Sequence, residues 1–597
     1  MNTSFLKLIL KLLFIGFIFI SVKSYGQDLP MYLTPQEKMM MKSYYLNRET
    51  KGYFFPPSSK VRSAAEWEEI DALIVTWTSY TSVIREIVRA AVNECKVYVV
   101  CSDSASVKSY LTSGNVNLAK VKYIIAPFNS VWVRDYSANN VYTNDVDSLL
   151  LVDWTYNRPR PKDDTLARSL AKFTALPLYE MTQTPNNLVA TGGNYMSDGL
   201  GTAFASKLIL NENASGGGYN QNLSESQIDT LVKKYLGIQR YIKFETLPYD
   251  VIHHIDMHMK LLDEETILVG QYPSGTADGP QIEANLQYLL STHNSVFGTP
   301  YRVIRMPMPP DPAYSNQYPP NGSYLTYTNG VFVNKTFIYP TYYAQYDSIA
   351  QKIYEKALPG FNVVGINCNS TIPASGAIHC ITHCIASNDP LLIVHQPIKD
   401  TVSFSGQLFV EAKAMIKHRS GISHAKLHYV FNDFLIDSLD MLPIPGQPDY
   451  YKANIPLYIP VKNTVLTNYK YYITAEANSG KKQCRPITAP TGFWSFKFNQ
   501  PNGINENKTK DTYIQLGSIY PNPASAISCI PVETRNEVNA TLELFDIVGK
   551  KILTIFEGKI PSGNKNFFIN AADLSKGVYF VKLQTKEYSV SQKLVVK

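Results

Sequence analysis

Cysteine is scarce in this chain. Its 597 residues hold seven, Cys95, Cys101, Cys368, Cys380, Cys384, Cys484 and Cys529. That number is too small and too odd for a disulfide scaffold, and it leaves one thiol over unless that thiol bridges two chains. Zinc spacing is missing as well. No C-x-x-C pair occurs, and His379-Cys380 and His383-Cys384 are adjacent pairs, a poor geometry for one tetrahedral site, so no metal is expected. Charge is sparse, at 18% of residues, and the net +7 gathers into no basic stripe. That excludes the electrostatic footprint of a nucleic-acid binder. Long apolar runs are lacking too. The uncharged stretch Leu12 to Val22 is too short for a membrane span. With Lys7 and Lys11 ahead of it and Ser24-Tyr-Gly26 behind, it reads as an export signal over residues 1–26, a retained anchor being the alternative.

Hydrophobic residues make up 45% of the chain, which describes a folded protein, and the length implies roughly three or four domains. The 41 tyrosines, 36 prolines and 32 glycines favour strands and turns. Residues 27–60 are polar and proline-punctuated and read as an extended lead-in. From Ala72 onward strand and helix alternate. Leu73 to Trp77 is a short apolar strand, Val83, Ile84, Ile87, Val88, Ala91 and Val92 recur at helical spacing, and Val97 to Val100 is a strand again. Further apolar strands at Leu149–Asp153, Ile267–Gly270, Val331–Val333 and Leu391–Val394 extend this pattern into an α/β domain over 61–397. Residues 398–498 carry strands with partial alternation (Lys426–Phe431, Tyr469–Ala477, Phe493–Phe498) and suggest an immunoglobulin-like sandwich. Residues 499–512 are polar and apolar-poor, a linker, and 513–597 form a last small β module.

The chemistry is concentrated in short loops. Ser375-Gly-Ala-Ile-His-Cys-Ile-Thr-His-Cys384 sets Cys380 behind a small-residue bend, where Gly376 can supply an unusual backbone angle, and between two histidines. A thiolate there could act as a nucleophile, although a small buried hydrophobe is an equally ordinary fate for a cysteine. Four other stretches stand out. Val131-Trp-Val-Arg-Asp135 sets a carboxylate beside an arginine. Thr191-Gly-Gly-Asn194 is a turn leading toward Asp198. His253-His-Ile-Asp256 would put His254 and Asp256 on one face of a strand. Tyr327-Thr-Asn329 stands just before a strand. Each alone has a structural explanation: an ion pair, a hairpin turn, a core histidine, an Asn turn.

Together, Ala65-Glu-Trp-Glu68, Trp132-x-Arg-Asp135, Gly192-Gly-Asn194, His254-x-Asp256 and Ile378-His-Cys380 resemble the guanidine-modifying superfamily of deiminases. Within it the chain resembles bacterial secreted peptidylarginine deiminases of the Porphyromonas type, with agmatine deiminases as near relatives. The resemblance covers about Ala64 to Val394 and departs from the family's pattern at Ser137-Ala138 and Gly376-Ala377. It implies a pseudo-fivefold α/β propeller with the site at its centre. Cys380 would be the nucleophile, His254 the general acid/base, Asp135 and Asp256 the guanidinium-binding carboxylates, with Asn329 lining the site and Trp132 flanking the substrate. No metal or organic cofactor is implied.

In Trp154-Thr-Tyr-Asn-Arg-Pro-Arg-Pro161, Arg158 and Arg160 match arginines with which the secreted enzymes hold the α-carboxylate of a C-terminal arginine. Alternate residues of a proline-stiffened segment point roughly the same way. His258, His379 and His383 receive no role, and Cys384 is expected in the core. The last module resembles a type IX secretion sorting domain, through Tyr520-Pro-Asn-Pro523, Leu544-Phe-Asp-Ile-Val-Gly549, Leu574 to Phe580 and the ending Lys593 to Lys597. It implies secretion or outer-membrane surface attachment through that machinery. The expectation is a secreted deiminase acting on peptides or proteins that bear arginine, C-terminal arginine above all. The alternatives are an agmatine or other small-guanidine deiminase, and a surface adhesin built on an inactive deiminase-like scaffold.

Overall fold

Strands and helices fall where the apolar pattern demands them. In the computed structural model, Thr81–Ala91 is helical and buries Val83, Ile84, Ile87, Val88 and Ala91 along one stripe. Leu149–Tyr156 is a strand buried at every position, as expected of a strand covered on both faces. The structure describes residues 29–46, 53–403, 409–431, 435–457, 467–499, 514–586 and 589–597. The export signal over 1–26 therefore lies outside the described residues, as does the 499–512 linker except for Asn499, which ends the strand Trp494–Asn499. Among the described residues no helix is long and apolar enough to cross a membrane.

The chain divides into two units, Met1–Pro390 and Leu391–Lys597. Among the described residues of the first unit there are five sheets, and one motif recurs in all of them. An antiparallel strand pair is followed by a helix and a strand that returns parallel to the second. Asn139–Thr143 pairs antiparallel with Leu149–Tyr156, which pairs parallel with Leu178–Met181. Met196–Ser197, Thr202–Ser206 and Arg240–Phe244 repeat the pattern. So do Met259–Leu261, Thr266–Gln271 and Arg302–Pro307, and then Val331–Val333, Thr336–Thr341 and Asn362–Asn367. The fifth sheet draws on both ends of the unit. His383–Ala386 pairs antiparallel with Ile70–Thr76, which runs parallel to Lys96–Cys101. The sequence shows no such repeat because each copy fills its core with different side chains.

The second unit is all strand. Two sheets spanning Leu392–Asn499 share one core, in which Ile393, Ala414, Ile416 and Ile455 of one meet Leu427, Tyr429, Tyr471 and Phe496 of the other. Two further sheets from Ile514 to Val596 enclose a separate core around Leu542, Leu544, Val581 and Leu594.

Three local expectations are corrected. The lead-in is not extended throughout. Pro35–Leu46 is helical, started by a reciprocal cap in which the Thr34 amide donates to Glu37 Oε2 (2.8 Å) and the Glu37 amide donates to Thr34 Oγ1 (3.2 Å). Leu392–His395, expected as the last strand of the α/β domain, pairs instead with Phe409–Lys417 of the second unit. The stretch His253–Asp256 is not a strand. His253 takes a left-handed φ of 56°, and Ile255–Met257 is a tight helical turn.

Candidate active site

The five sheets place five loops equivalently. Asp135 precedes the first strand of one motif, Gly192–Asn194 that of the next, and His254 and Asp256, Asn329 and Cys380 those of the remaining three. Each loop is too short to wander, and the local geometry of each is set by its own sequence. Asp135 sits in a single helical turn, Val133–Tyr136. The bend before Cys380 is made by Ser375, at φ 68°. Gly376, which the sequence suggested for that role, serves a different need: a Cβ there would run into the Trp132 ring.

A second glycine reports where the side chains converge. A Cβ built on Gly193 would lie 2.5 Å from His254 Nδ1, 3.1 Å from Asp135 Oδ1 and 3.2 Å from Asp256 Oδ2. Only a residue without a Cβ lets those three groups share one point. The Gly193 amide donates to Asp135 Oδ1 at 3.1 Å, and His254 Nδ1 is 3.7 Å from the same oxygen. Cys380 Sγ lies 3.8 Å from Asp256 Oδ2 and 3.3 Å from Asn329 Nδ2. Asn329 Oδ1 accepts from the His379 amide at 3.0 Å and the Cys380 amide at 3.4 Å, which fixes the cysteine loop. The structure thus brings Cys380, His254, Asp135, Asp256 and Asn329 together, all buried.

Their hydrogen bonding is incomplete. Both ring nitrogens of His254 and Asp256 Oδ1 have no hydrogen-bond partner, although buried polar atoms are nearly always paired. The set is arranged for a donor-rich cation. Burial, then the charges of Asp256 and Asp135, push the Cys380 thiol well above its usual range. Burial pushes His254 below its usual value against the opposing pull of those carboxylates, so the ring favours its neutral form. Asp256 is raised by burial, but its hydrogen bond and charge interaction with His379 outweigh that and hold it below its ordinary value. A cation entering between the carboxylates would cancel the two charges that oppose a thiolate.

Trp132, Arg158 and Arg160 are buried and already engaged. Trp132 Nε1 donates to the Leu29 carbonyl at 2.8 Å. Arg158 Nε donates to the Met31 carbonyl at 2.9 Å. Arg160 donates from Nε to Glu37 Oε1 at 2.7 Å and from Nη2 to the Pro30 carbonyl at 2.6 Å. Both arginines are held by residues of the lead-in.

Residues 62–385 match the family model described as Porphyromonas-type peptidyl-arginine deiminase. The chain belongs to that family. The deiminase also matches the secretion system C-terminal sorting domain over residues 518–597, which ties it to type IX secretion and to release or attachment at the cell surface. A Vibrio parahaemolyticus protein named as an agmatine deiminase is 23% identical over 374 residues, 56% of this deiminase and 97% of its own length. A Marinomonas protein of the same name is 23% identical over 300 residues, 46% and 79% respectively. A solved structure named as an agmatine deiminase aligns with a TM-score of 0.50 at 19% identity, over 56% of this deiminase and all of that chain, and supports the fold.

Two residues of this deiminase carry more of the site than the sequence disclosed. His379 Nδ1 meets Asp256 Oδ2 at 2.7 Å, and its Nε2 meets Glu66 Oε1 at 2.7 Å. Glu66 also pairs with Lys260 and, at 3.4 Å, with Arg134. Burial raises the Glu66 carboxyl, but the charges of His379, Lys260 and Arg134 outweigh it and hold the group well below the carboxylate range. Glu66 belongs to the Ala65-Glu-Trp-Glu68 motif, which was the one available hint. Glu68 serves elsewhere, paired with Arg62 at 2.6 Å.

Proposed function

We propose that this protein is a secreted peptidyl-arginine deiminase that converts arginine, C-terminal arginine by preference, into citrulline and ammonia. The observation that carries the proposal is the convergence of His254, Asp135 and Asp256 beside Gly193, with Cys380 Sγ 3.8 Å from Asp256. A guanidinium is planar and donor-rich, so two carboxylates grip it by charge-assisted hydrogen bonds and hold its central carbon for attack. We read the five repeated motifs as the blades of a pseudo-fivefold propeller around that point, and Leu392–Asn499 as an Ig-like carrier.

The steps follow from the residues present. The bound cation offsets Asp135 and Asp256, and Cys380 gives its proton to the neutral His254 ring. Sulfur bonds to the guanidinium carbon, and one C–N bond breaks as His254 passes a proton to the departing ammonia. The remaining S-alkylthiouronium keeps its positive charge. Neutral His254 then takes a proton from water, the oxygen bonds to the carbon, and the C–S bond breaks to return the thiolate and leave the urea of citrulline. Water in and ammonium out balance the reaction. Asn329 steadies the sulfur through the 3.3 Å hydrogen bond. Arg158 and Arg160 would hold the carboxylate of a terminal arginine once freed from the lead-in.

Ammonia release by the full chain tests this on three substrates: a peptide ending in arginine, the same peptide with arginine internal, and agmatine. A rate highest on the first, lost in Cys380→Ala and weakened in Arg158→Ala, supports the proposal. Preference for agmatine would move the protein to small guanidines, and no activity on any would favour an inactive scaffold.

A further inference from the structure

We propose that His379 and Glu66 form a positioning relay for Asp256. The inference rests on the assignment of Asp256 to the guanidinium. Asp256 Oδ2 faces His379 at 2.7 Å while Oδ1 has no partner. The histidine therefore fixes one carboxylate oxygen and turns the other toward the point beside Gly193. Both His379 nitrogens meet carboxylates, and an imidazole can donate from both only when it carries two protons. Glu66 is in turn clamped by Lys260 and Arg134, and the Arg134 amide donates to the Cys380 carbonyl at 3.2 Å. The relay thus joins the carboxylate to the loop that carries the sulfur. Nothing in it touches the reacting atoms, and its contribution is orientation.

The test compares His379→Ala, His379→Gln, Glu66→Gln and Asp256→Asn in the full chain, together with agmatine binding to each in a Cys380→Ala background. A carboxylate displaced by an ångström costs about 100-fold in rate. His379→Ala is expected to lose about that much in kcat and to weaken agmatine binding. His379→Gln, which still donates once to Oδ2, is expected to recover roughly tenfold of the loss. His379→Ala within threefold of the parent in kcat, with Asp256→Asn inactive, would overturn the relay and leave the role of Asp256 intact. An active Asp256→Asn would instead remove the assignment on which the relay rests.

The lead-in carries a second inference independently. We infer that residues 29–37 are an internal occupant of the carboxylate-recognition arginines, a strap that must leave before a peptide terminus can enter. Four consecutive residues dock: Leu29 on Trp132, Pro30 on Arg160, Met31 on Arg158, and Tyr32, whose carbonyl is 3.4 Å from Arg160 Nη2. The Met31 amide donates to the Ala374 carbonyl at 3.0 Å, just ahead of the cysteine loop, and its side chain is fully buried. The Glu37 carboxylate grips Arg160 through both oxygens, at 2.7 and 3.3 Å, which is the interaction a substrate carboxylate would make. This inference rests on the assignment of Arg158 and Arg160 to that carboxylate.

Met31→Asp and Glu37→Gln in the full chain test it, with amide exchange across residues 29–46 as a measure of seating that is independent of activity. A charge cannot stay buried at position 31, so Met31→Asp is expected to lose protection there. It is also expected to raise kcat/KM for a peptide ending in arginine about tenfold or more, with agmatine turnover within twofold. Glu37→Gln is expected to give a smaller rise. An equal rise on both substrates would keep the strap as a cover and withdraw the carboxylate role of the arginines. Persistent protection in Met31→Asp, or loss of protection with no gain on either substrate, would overturn the strap.

Discussion

The two units bury their side chains by different rules. Strands of the second alternate, as Ile422–Phe431 does between core and surface, and Glu533 is the one buried carboxylate among its described residues. The first unit buries strands such as Leu149–Tyr156 end to end, and it buries Asp135, Asp163, Glu212, Asp250 and Asp256 in the segments between strands. Burial pushes Asp163 up to about 6 against its hydrogen bonds from Ser130 and Asn129, and burial with the charges of Asp278 and Asp256 pushes Asp250 up to about 7. Leaving carboxylates out of water is expensive, and a fold that needed only stability would avoid it.

The contrast breaks hardest at Gly193. Gly193→Ala puts a methyl 2.5 Å from His254 Nδ1, so the histidine or the carboxylates must shift. Citrulline formation should fall about 1,000-fold, since displacements near an ångström cost about 100-fold and more than one reacting group moves. Circular dichroism of the variant should match the parent. The converse perturbation is Leu427→Ala, which opens the core of the second unit at a fully buried site. Calorimetry should show that unit destabilised by about 2–5 kcal/mol with citrulline kinetics unchanged.

The chain announced its site more clearly than its supports. Cys380, His254, Asp135, Asp256 and Asn329 each had a structural explanation alone, and the resemblance of their short motifs to one family is what set them together. His379 and Glu66 bond across 313 positions of sequence, and no local pattern carries such a pairing. The lead-in hid its helix for another reason. Its stripe is weakly apolar and its cap, Thr34 with Glu37, is shared with Arg160, so tertiary contact rather than periodicity decides its place. The five motifs were invisible because a repeated backbone does not require a repeated core.

A finer comparison sets two buried thiols side by side. Burial, Asp256 and Asp135 raise Cys380, whereas burial with no neighbouring carboxylate raises Cys529 to about 11. Asp135→Asn removes one of the charges on Cys380 and none on Cys529. Alkylation of Cys380 by iodoacetamide at pH 7 should therefore speed up, while Cys529 is unchanged and citrulline formation is lost. A Cys380 that reacts no faster would mean that the Asp135 charge does not set its reactivity.

The last effect expected is at Glu212, which pairs with Asn157 Nδ2 at 2.7 Å and Tyr219 at 3.1 Å. Burial raises this carboxyl from 4.5 to about 7, against the pull of Arg158 and those hydrogen bonds. The folded state therefore holds a proton that the unfolded chain releases near 4.5. Its contribution to stability is fully present below that pH and is lost as the pH rises through about 7. Glu212→Gln keeps the shape and removes the titration, so the variant should gain on the parent by about 2–3 kcal/mol between pH 5 and pH 8. Urea unfolding of the first unit at those two pH values measures the gain.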